Sequence, residues 1–216
     1  MLERVRDSVA ALPYMRFEQA ELLGKFLTDH RLTQCLELGF FHGVSSAYIA
    51  ETLRMMGTGH LTTIDLTWVK NKQPNIDDVL AQLGLSEFVS VFYEPRSYTW
   101  RMMKMLEEDR NESFDFCYID GGHLWDVSGF GFFLVEKLLK PGGWVLFDDL
   151  DWSAKRDHDS FVAKNQPLPP WLAAMTPEEI ETRQVRKIWE LLVKQHPRFS
   201  HFFEPAFSWG FAQKVI

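Results

Sequence analysis

The sequence predicts an α/β fold: a parallel sheet covered by helices on both faces, with an antiparallel pair of strands at its end. Three observations predict it. Between residues 34 and 148, five short apolar runs alternate with helical patterns, which implies right-handed strand–helix–strand units. The tail carries two further apolar runs, Phe199–Phe203 and Trp209–Val215, joined only by Glu204-Pro205-Ala206-Phe207-Ser208. A join that short suits antiparallel strands and cannot make a parallel crossover. The length, 216 residues, suits one domain, residues 1–216.

The elements follow in order. Residues 1–30 are expected to be a helical segment, with Leu22, Leu23, Phe26 and Leu27 on one face of a helix over Glu18–Asp29. Gln34–Leu38 is the first strand and ends at Gly39. Val44–Met56 reads as a helix stopped by Gly57 and Gly59. Leu61–Asp65 is the second strand, Ile76–Leu83 a short helix closed by Gly84, and Phe88–Tyr93 the third strand. Ser97–Glu108 is helical and Phe114–Asp120 is the fourth strand. Trp125–Leu139 shows a helical apolar face, and Lys140-Pro141-Gly142-Gly143 reads as a helix stop followed by a turn. Trp144–Asp148 is the fifth strand. Residues 151–175 are polar, contain Pro167, Pro169 and Pro170, and are long for a plain connection, so a lid-like insertion or a disordered loop is expected there. Thr176-Pro177-Glu178-Glu179 is a capping box opening one helix to about His196, with Val185, Ile188, Trp189 and Leu192 as its stripe.

Composition excludes several classes. Hydrophobic residues are 46% and charged residues 25%, a globular balance that excludes a disordered or collagen-like chain. No uncharged apolar stretch reaches the roughly 18 residues of a membrane span, and the opening MLERVRDSVAALPYM lacks the apolar core of a secretory signal. The two cysteines, Cys35 and Cys117, form no metal or disulfide pattern, so a cytoplasmic setting is expected. The net charge of −7 argues against a nucleic-acid partner, whose phosphates call for a basic face.

In an open parallel sheet, ligands bind beyond the carboxyl ends of the strands. The first strand exits through Glu37-Leu38-Gly39-Phe40-Phe41-His42-Gly43-Val44-Ser45. Gly39 permits a tight turn and the close approach of a ligand, and Gly43 lets the next helix start beside it. Ser45 lies in the first turn of that helix, whose N-terminus presents free N–H groups. Glu37 can pair with a cation or hold a water, and Asp65, ending the second strand, can accept from both ribose hydroxyls. A Gly-x-x-x-Gly spacing is also compatible with a purely structural turn, but it is not the G-x-G-x-x-G of a dinucleotide site.

Glu37-x-Gly39-x-x-x-Gly43 together with Asp65 resembles the first two motifs of class I S-adenosylmethionine (SAM)-dependent methyltransferases. LELGFFHGVSS, FDFCYIDGGHLWD and LLKPGGWVLFDDLDW resemble the macrocin-type, cation-dependent O-methyltransferase branch. The resemblance spans about residues 15–150 and 176–216. It implies a Rossmann-like seven-stranded sheet, mostly parallel with a reversed C-terminal strand. It implies SAM as cofactor, bound by Glu37, Gly39, Gly43, Ser45, Asp65, Ser97 and Asp120. Arg96 stands where many relatives carry an acidic residue near the adenine, and Phe41 where the common pattern has a further glycine. Tyr14 and Met15 precede the first long helix, where relatives approach the cofactor.

Asp120 ends the fourth strand and Asp148 and Asp149 end the fifth, so the three carboxylates converge if these strands are neighbours. Converging carboxylates raise one another's pKa unless a cation joins them. A divalent ion with oxygen ligands, Mg²⁺ among them, answers that need and keeps positions open for substrate oxygens. The resemblance places Asp120, Asp148 and Asp149 on metal-ligand positions, and the alternative is that they cap turns. His123 follows Gly121-Gly122, and in macrocin-type relatives a His there resembles a general base; a structural hydrogen bond to a carboxylate is the other reading. His42, Trp125 and Trp152 flank the same region, and His158 lies in the Pro-rich stretch.

The function expected is methyl transfer from SAM to a hydroxyl oxygen of a small hydroxylated acceptor, assisted by a divalent cation, in a protein that could form a homo-oligomer. The alternatives are a metal-independent methyltransferase and a non-catalytic SAM-binding module.

Overall fold

The computed structural model describes residues 2–216. Its seven strands form one sheet in the order β3-β2-β1-β4-β5-β7-β6. They are β1 (Gln34–Leu38), β2 (His60–Leu66), β3 (Val89–Glu94), β4 (Phe114–Ile119), β5 (Leu139–Phe147), β6 (Phe199–Phe203) and β7 (Gly210–Lys214). The pairs among β1–β5 are parallel, and β7 runs antiparallel to both β5 and β6. The mostly parallel sheet with a reversed last strand is therefore present.

Helices cover both faces. On one side α1 (Glu3–Val9), α2 (Phe17–His30), α3 (Val44–Met56) and α4 (Ile76–Leu83) bury Val5, Leu23, Leu27, Ile49 and Leu80 against Phe116, Tyr118 and Leu146. On the other, α5 (Tyr98–Glu107) and α6 (Trp125–Leu138) bury Met102, Phe132 and Val135 against Leu36, Cys117 and Phe147. The alternation of Phe116 and Tyr118 with Cys117 along β4 is the period-two rule of a sheet packed on both faces. Arg4 ties α1 down: it donates to the Leu83 carbonyl and to buried Glu51, which also pairs with Arg54. At the opposite end from the strand exits, Asp115 accepts from the Thr33 and Gln34 amides and fixes the entry to β1.

One expectation holds in an altered setting and one fails. α6 stops at Leu138 as read, but Lys140–Gly143 lies within the bounds of β5, looping out between Leu139, which pairs with Phe114, and Trp144, which pairs with Phe116. Gly142 at φ 82° and a register shift between Phe114 and Phe116 absorb the irregularity that Pro141 creates. The helix expected from Thr176 to His196 is broken. The capping box forms as read, opening α9 (Pro177–Glu181), but Thr182 is extended. A second helix, α10 (Gln184–Ile188), runs into a π-helical turn at Trp189–Val193. The wider π turn moves the buried position from Leu192 to Val193.

Residues 151–175 contain two short helices, α7 (Lys155–Ala163) and α8 (Pro170–Ala173), with Ala154 and Leu172 buried beneath them. Among the described residues, no helix is long and apolar enough to cross a membrane.

Candidate active site

The exits of β1, β2, β4 and β5 lie side by side, because the strand order puts β1 between β2 and β4 and puts β5 beside β4. The turn after β1 is held from below by Asp65. One Asp65 oxygen accepts from the Phe40 and Phe41 amides, both at 2.8 Å, and the other from the Leu66 amide at 2.6 Å. Three backbone donors on one carboxylate explain how Phe41 keeps φ 49°, a left-handed conformation that a bulky residue rarely adopts. Its ring meets Tyr14 and Trp68 at 5.3 and 5.9 Å.

The glycines are required by the protein's own packing. At Gly39 (φ 93°) an added Cβ would sit 2.6 Å from the Asp120 carbonyl oxygen. A side chain there collides with the β4 exit first, so the reason for glycine is the close approach of two strand-exit loops as well as room for a ligand. At Gly43 the Cβ would meet Ile76 at 2.5 Å, which ties this glycine to the packing of α4.

Glu37 and Ser45 lie beneath this turn. Glu37 is fully buried; one oxygen accepts from Ser46 and from Thr63, the latter at 2.6 Å. Its other oxygen lacks a partner of good geometry. Burial raises its pKa to about 7, against the pull of the Ser45, Ser46 and Thr63 hydroxyls. The neutral form is thus favoured in the folded protein, and its stabilising contribution is complete below the unfolded pKa near 4.5 and lost as pH rises to about 7. Glu37→Gln is expected to gain stability over wild type as pH goes from 5 to 8, on the order of 3 kcal/mol at most. A thermal-melt series across that range checks it, and a constant difference between the two proteins would contradict it.

Ser97 is the N-cap of α5, its hydroxyl accepting from the Thr99 amide at 3.1 Å. It lines, with Pro95, Arg96, Thr99, Trp100 and Val127, a cavity of about 520 Å³ at the β3 exit. Glu94, next to it, is buried and paired with Arg101 at 2.7 Å.

Asp120, His123 and Asp149 converge. Nε2 of His123 is 3.5 Å from an Asp120 oxygen and 3.6 Å from an Asp149 oxygen, and one ligand atom from each residue lies within 4.8 Å of the others. His123 (φ 44°) and Asp149 (φ 55°) are both left-handed, at residue types that tolerate it. Trp152 lies against the imidazole at 5.1 Å. Burial alone would hold His123 neutral, but the Asp120 carboxylate, with Asp149 and Asp148 behind it, outweighs burial and raises its pKa. Burial also raises the pKa of Asp120, against the pull of His123.

Asp148 is placed apart from that group. It is buried, its Oδ2 accepts from the Tyr118 hydroxyl and its Oδ1 from the Asp149 amide at 2.6 Å. Burial, then the charges of Asp120 and Asp149, push its pKa to about 8. Tyr118 is the neighbour the sequence reading missed. The signal was available: two residues before Asp120 on a strand means the same face.

The donor set fits a divalent cation. Two carboxylates face one imidazole, and the buried Nε2 of His123 has no hydrogen-bond partner. Of the other flagged residues, His42 bonds the Pro74 carbonyl through Nδ1 at 2.6 Å and is turned to that loop. Trp125 is exposed at the start of α6, its amide held by Gln184. Tyr14 is exposed and Met15 half-buried, both with positive φ. His158 pairs with Asp159 on α7, away from the cluster's hydrogen bonds.

Comparison with solved structures finds this architecture repeatedly. The O-methyltransferase TomG from Streptomyces achromogenes, in complex with SAM, superposes with TM-score 0.68 at 19% identity, covering 100% of this chain and 89% of that one. An O-methyltransferase from Bacillus cereus in complex with SAH gives 0.66 at 20% identity, covering 100% and 90%. The SAH-bound methyltransferase PaMTH1 of Podospora anserina gives 0.66 at 16% identity, covering 100% and 87%. No curated protein matches by sequence. These likenesses establish the fold. Residues 36–150, which run from β1 through the carboxylates after β5, match the sequence profile described as a methyltransferase domain. That match spans more than half of the chain, and the chain belongs to the methyltransferase-domain family.

Proposed function

We propose that the protein is a SAM-dependent O-methyltransferase acting on a small hydroxylated acceptor, with a divalent cation at Asp120 and Asp149. The observation that carries the reading is the convergence of Asp120, His123 and Asp149 at the β4 and β5 exits, beside the glycine turn held by Asp65. The solved O-methyltransferases from S. achromogenes and B. cereus, bound to SAM and SAH, support SAM as the methyl donor.

The turn over Asp65 would cradle the cofactor, with Asp65 available to a ribose and Ser97 lying beside the cavity at the β3 exit. Transfer needs an oxygen nucleophile, because the sulfonium leaving group is already activated. The acceptor oxygen attacks the methyl carbon, the carbon–sulfur bond breaks with its electron pair going to sulfur, and S-adenosylhomocysteine leaves. The acceptor's proton goes to Nε2 of His123, which faces both carboxylates and, as the ring held against Trp152, is oriented before the acceptor arrives. A bound divalent cation would supply a lowered pKa at the acceptor hydroxyl. Vicinal hydroxyls would chelate such an ion best, which favours a sugar, polyol or catechol-like acceptor.

Asp65→Ala is expected to weaken SAM binding by roughly 1–3 kcal/mol, the cost of losing charge-assisted hydrogen bonds and the support of the turn. Calorimetric titration checks it, and unchanged affinity would remove the cofactor assignment. The test of the function uses SAM carrying ¹³C in its methyl group, a panel of hydroxylated acceptors, and NMR of the products. Methyl carbon on oxygen is expected; transfer to nitrogen or sulfur acceptors alone would overturn the reading.

A further inference from the structure

The side chain with the largest unexplained role near the site is Tyr118. It is 1% exposed, in the middle of a packed sheet, yet carries a hydroxyl. Its ring packs on the same face as Phe116 and Leu146 and meets Trp209 edge-on at 6.2 Å. Phenylalanine would satisfy that packing, so the oxygen has to be explained by what it touches. It donates to Oδ2 of Asp148. The geometry behind this is the pleat. Tyr118 pairs with Leu146 across β4 and β5, and the next residue on that face of each strand is Asp120 and Asp148. Tyr118 thus lies directly below the point where the two exits separate.

Asp148 spends its other oxygen on the backbone. Oδ1 accepts from the Asp149 amide at 2.6 Å, and the Asp148 amide is held by the Ile119 carbonyl at 3.0 Å. With both of its oxygens engaged, the Asp148 side chain fixes the peptide that leads into Asp149. Asp149 then turns left-handed at φ 55°, and its carbonyl accepts from the Trp152 amide at 2.9 Å. That bend brings the Asp149 carboxylate to 3.6 Å from His123. Aspartate tolerates this conformation, and the contacts of its amide with Asp148 and of its carbonyl with the Trp152 amide select it here.

We propose that Tyr118 is a positioning residue of the site: acting through Asp148, it fixes the bend at Asp149 that aims the Asp149 carboxylate at His123 and Asp120. The inference rests on the proposed site and deepens it. Neither the resemblance nor the family match assigns a role to this tyrosine.

The test is a double-mutant cycle of Tyr118→Phe and Asp148→Ala, read by calorimetric titration with Mn²⁺ alone, without cofactor or acceptor. Tyr118→Phe keeps the ring and removes one oxygen, and near-ultraviolet circular dichroism verifies the packed core. Its Mn²⁺ affinity is expected to fall about 10–100-fold, the usual effect of removing a group that orients a ligand, while SAM affinity stays within about twofold of wild type. In the Asp148→Ala background the same change should do nothing further, because the partner is gone. Unchanged Mn²⁺ affinity in Tyr118→Phe, or an equal loss in both backgrounds, would overturn the proposal. If wild type binds no Mn²⁺, the metal assignment fails, and the cycle is read on turnover. A fall in kcat on Tyr118→Phe that is seen in the wild-type background and absent from the Asp148→Ala background then sustains the positioning role, and an additive or absent effect overturns it. As an independent readout, Asp149 amide hydrogen exchange should accelerate in Tyr118→Phe; unaltered exchange would contradict the proposed chain of contacts.

Discussion

Removing either carboxylate that faces His123 is expected to abolish most turnover, and removing Asp149 does so with the cofactor still bound. Asp120→Asn and Asp149→Asn each delete a charge from a cluster in which one ligand atom from each residue lies within 4.8 Å of the others. If the two carboxylates hold a divalent cation, each change lowers divalent affinity, EDTA abolishes activity, and Mg²⁺ or Mn²⁺ restores it. His123→Ala is expected to lower turnover by roughly 10²–10⁴, the effect of losing a general base, with SAM affinity unchanged. The same variant separates two roles for the imidazole. As base it leaves divalent affinity near wild type; as ligand it lowers that affinity as Asp120→Asn does. Steady-state kinetics with divalent titrations of the three variants decide it. Full activity in EDTA and in both Asn variants would remove the cation and leave the fold and the methyltransferase family intact.

The largest loss of stability is expected far from the site, at Lys214. This lysine of β7 is 1% exposed, and its Nζ donates to the Glu136 and Leu139 carbonyls at 2.8 and 2.7 Å and to Glu112 at 3.4 Å. The first two carbonyls belong to the end of α6 and the start of β5, where helical carbonyls run out of partners and the helix dipole is negative. A buried ammonium there joins the reversed strand to the helix of the opposite segment. Lys214→Met keeps the apolar stem and removes the donors, leaving two buried carbonyls unsatisfied. The expected cost is about 2–4 kcal/mol, or roughly 5–15 °C in the melting midpoint for a chain of this size. A shift below a degree or two would show that water reaches those carbonyls.

The central sheet was legible because its signals are local. β1, α3 and α4 have the bounds expected from apolar runs and glycine stops. The capping box at Thr176 forms as read, since its hydrogen bonds span only four residues. The break at Thr182 was not legible, because it depends on Gln184 bonding the Trp125 amide and the Glu179 carbonyl, partners supplied by the folded chain. Likewise Lys140–Gly143 carries turn residues and bulges out of β5 between Leu139 and Trp144, a position inside a strand that only the pairing of those two flanking residues with β4 reveals. At the site, the sequence placed Asp120 and His123 at one strand end and Asp148 and Asp149 at another. It could not distinguish the orientations of adjacent aspartates: Asp148 turns inward to Tyr118 while Asp149 turns toward His123. Glycine at position 39 was expected from turn geometry, but the contact that requires it is with Asp120, 81 positions away.

The most direct measurement is a calorimetric titration of the wild-type protein with SAM and then S-adenosylhomocysteine, each with and without Mg²⁺. Saturable one-to-one binding of both compounds is expected, lost or sharply weakened in Asp65→Ala and retained in Asp149→Asn. Absence of binding to wild type, or binding indifferent to Asp65, would contradict the assignment of the first turn as the methyl-donor site.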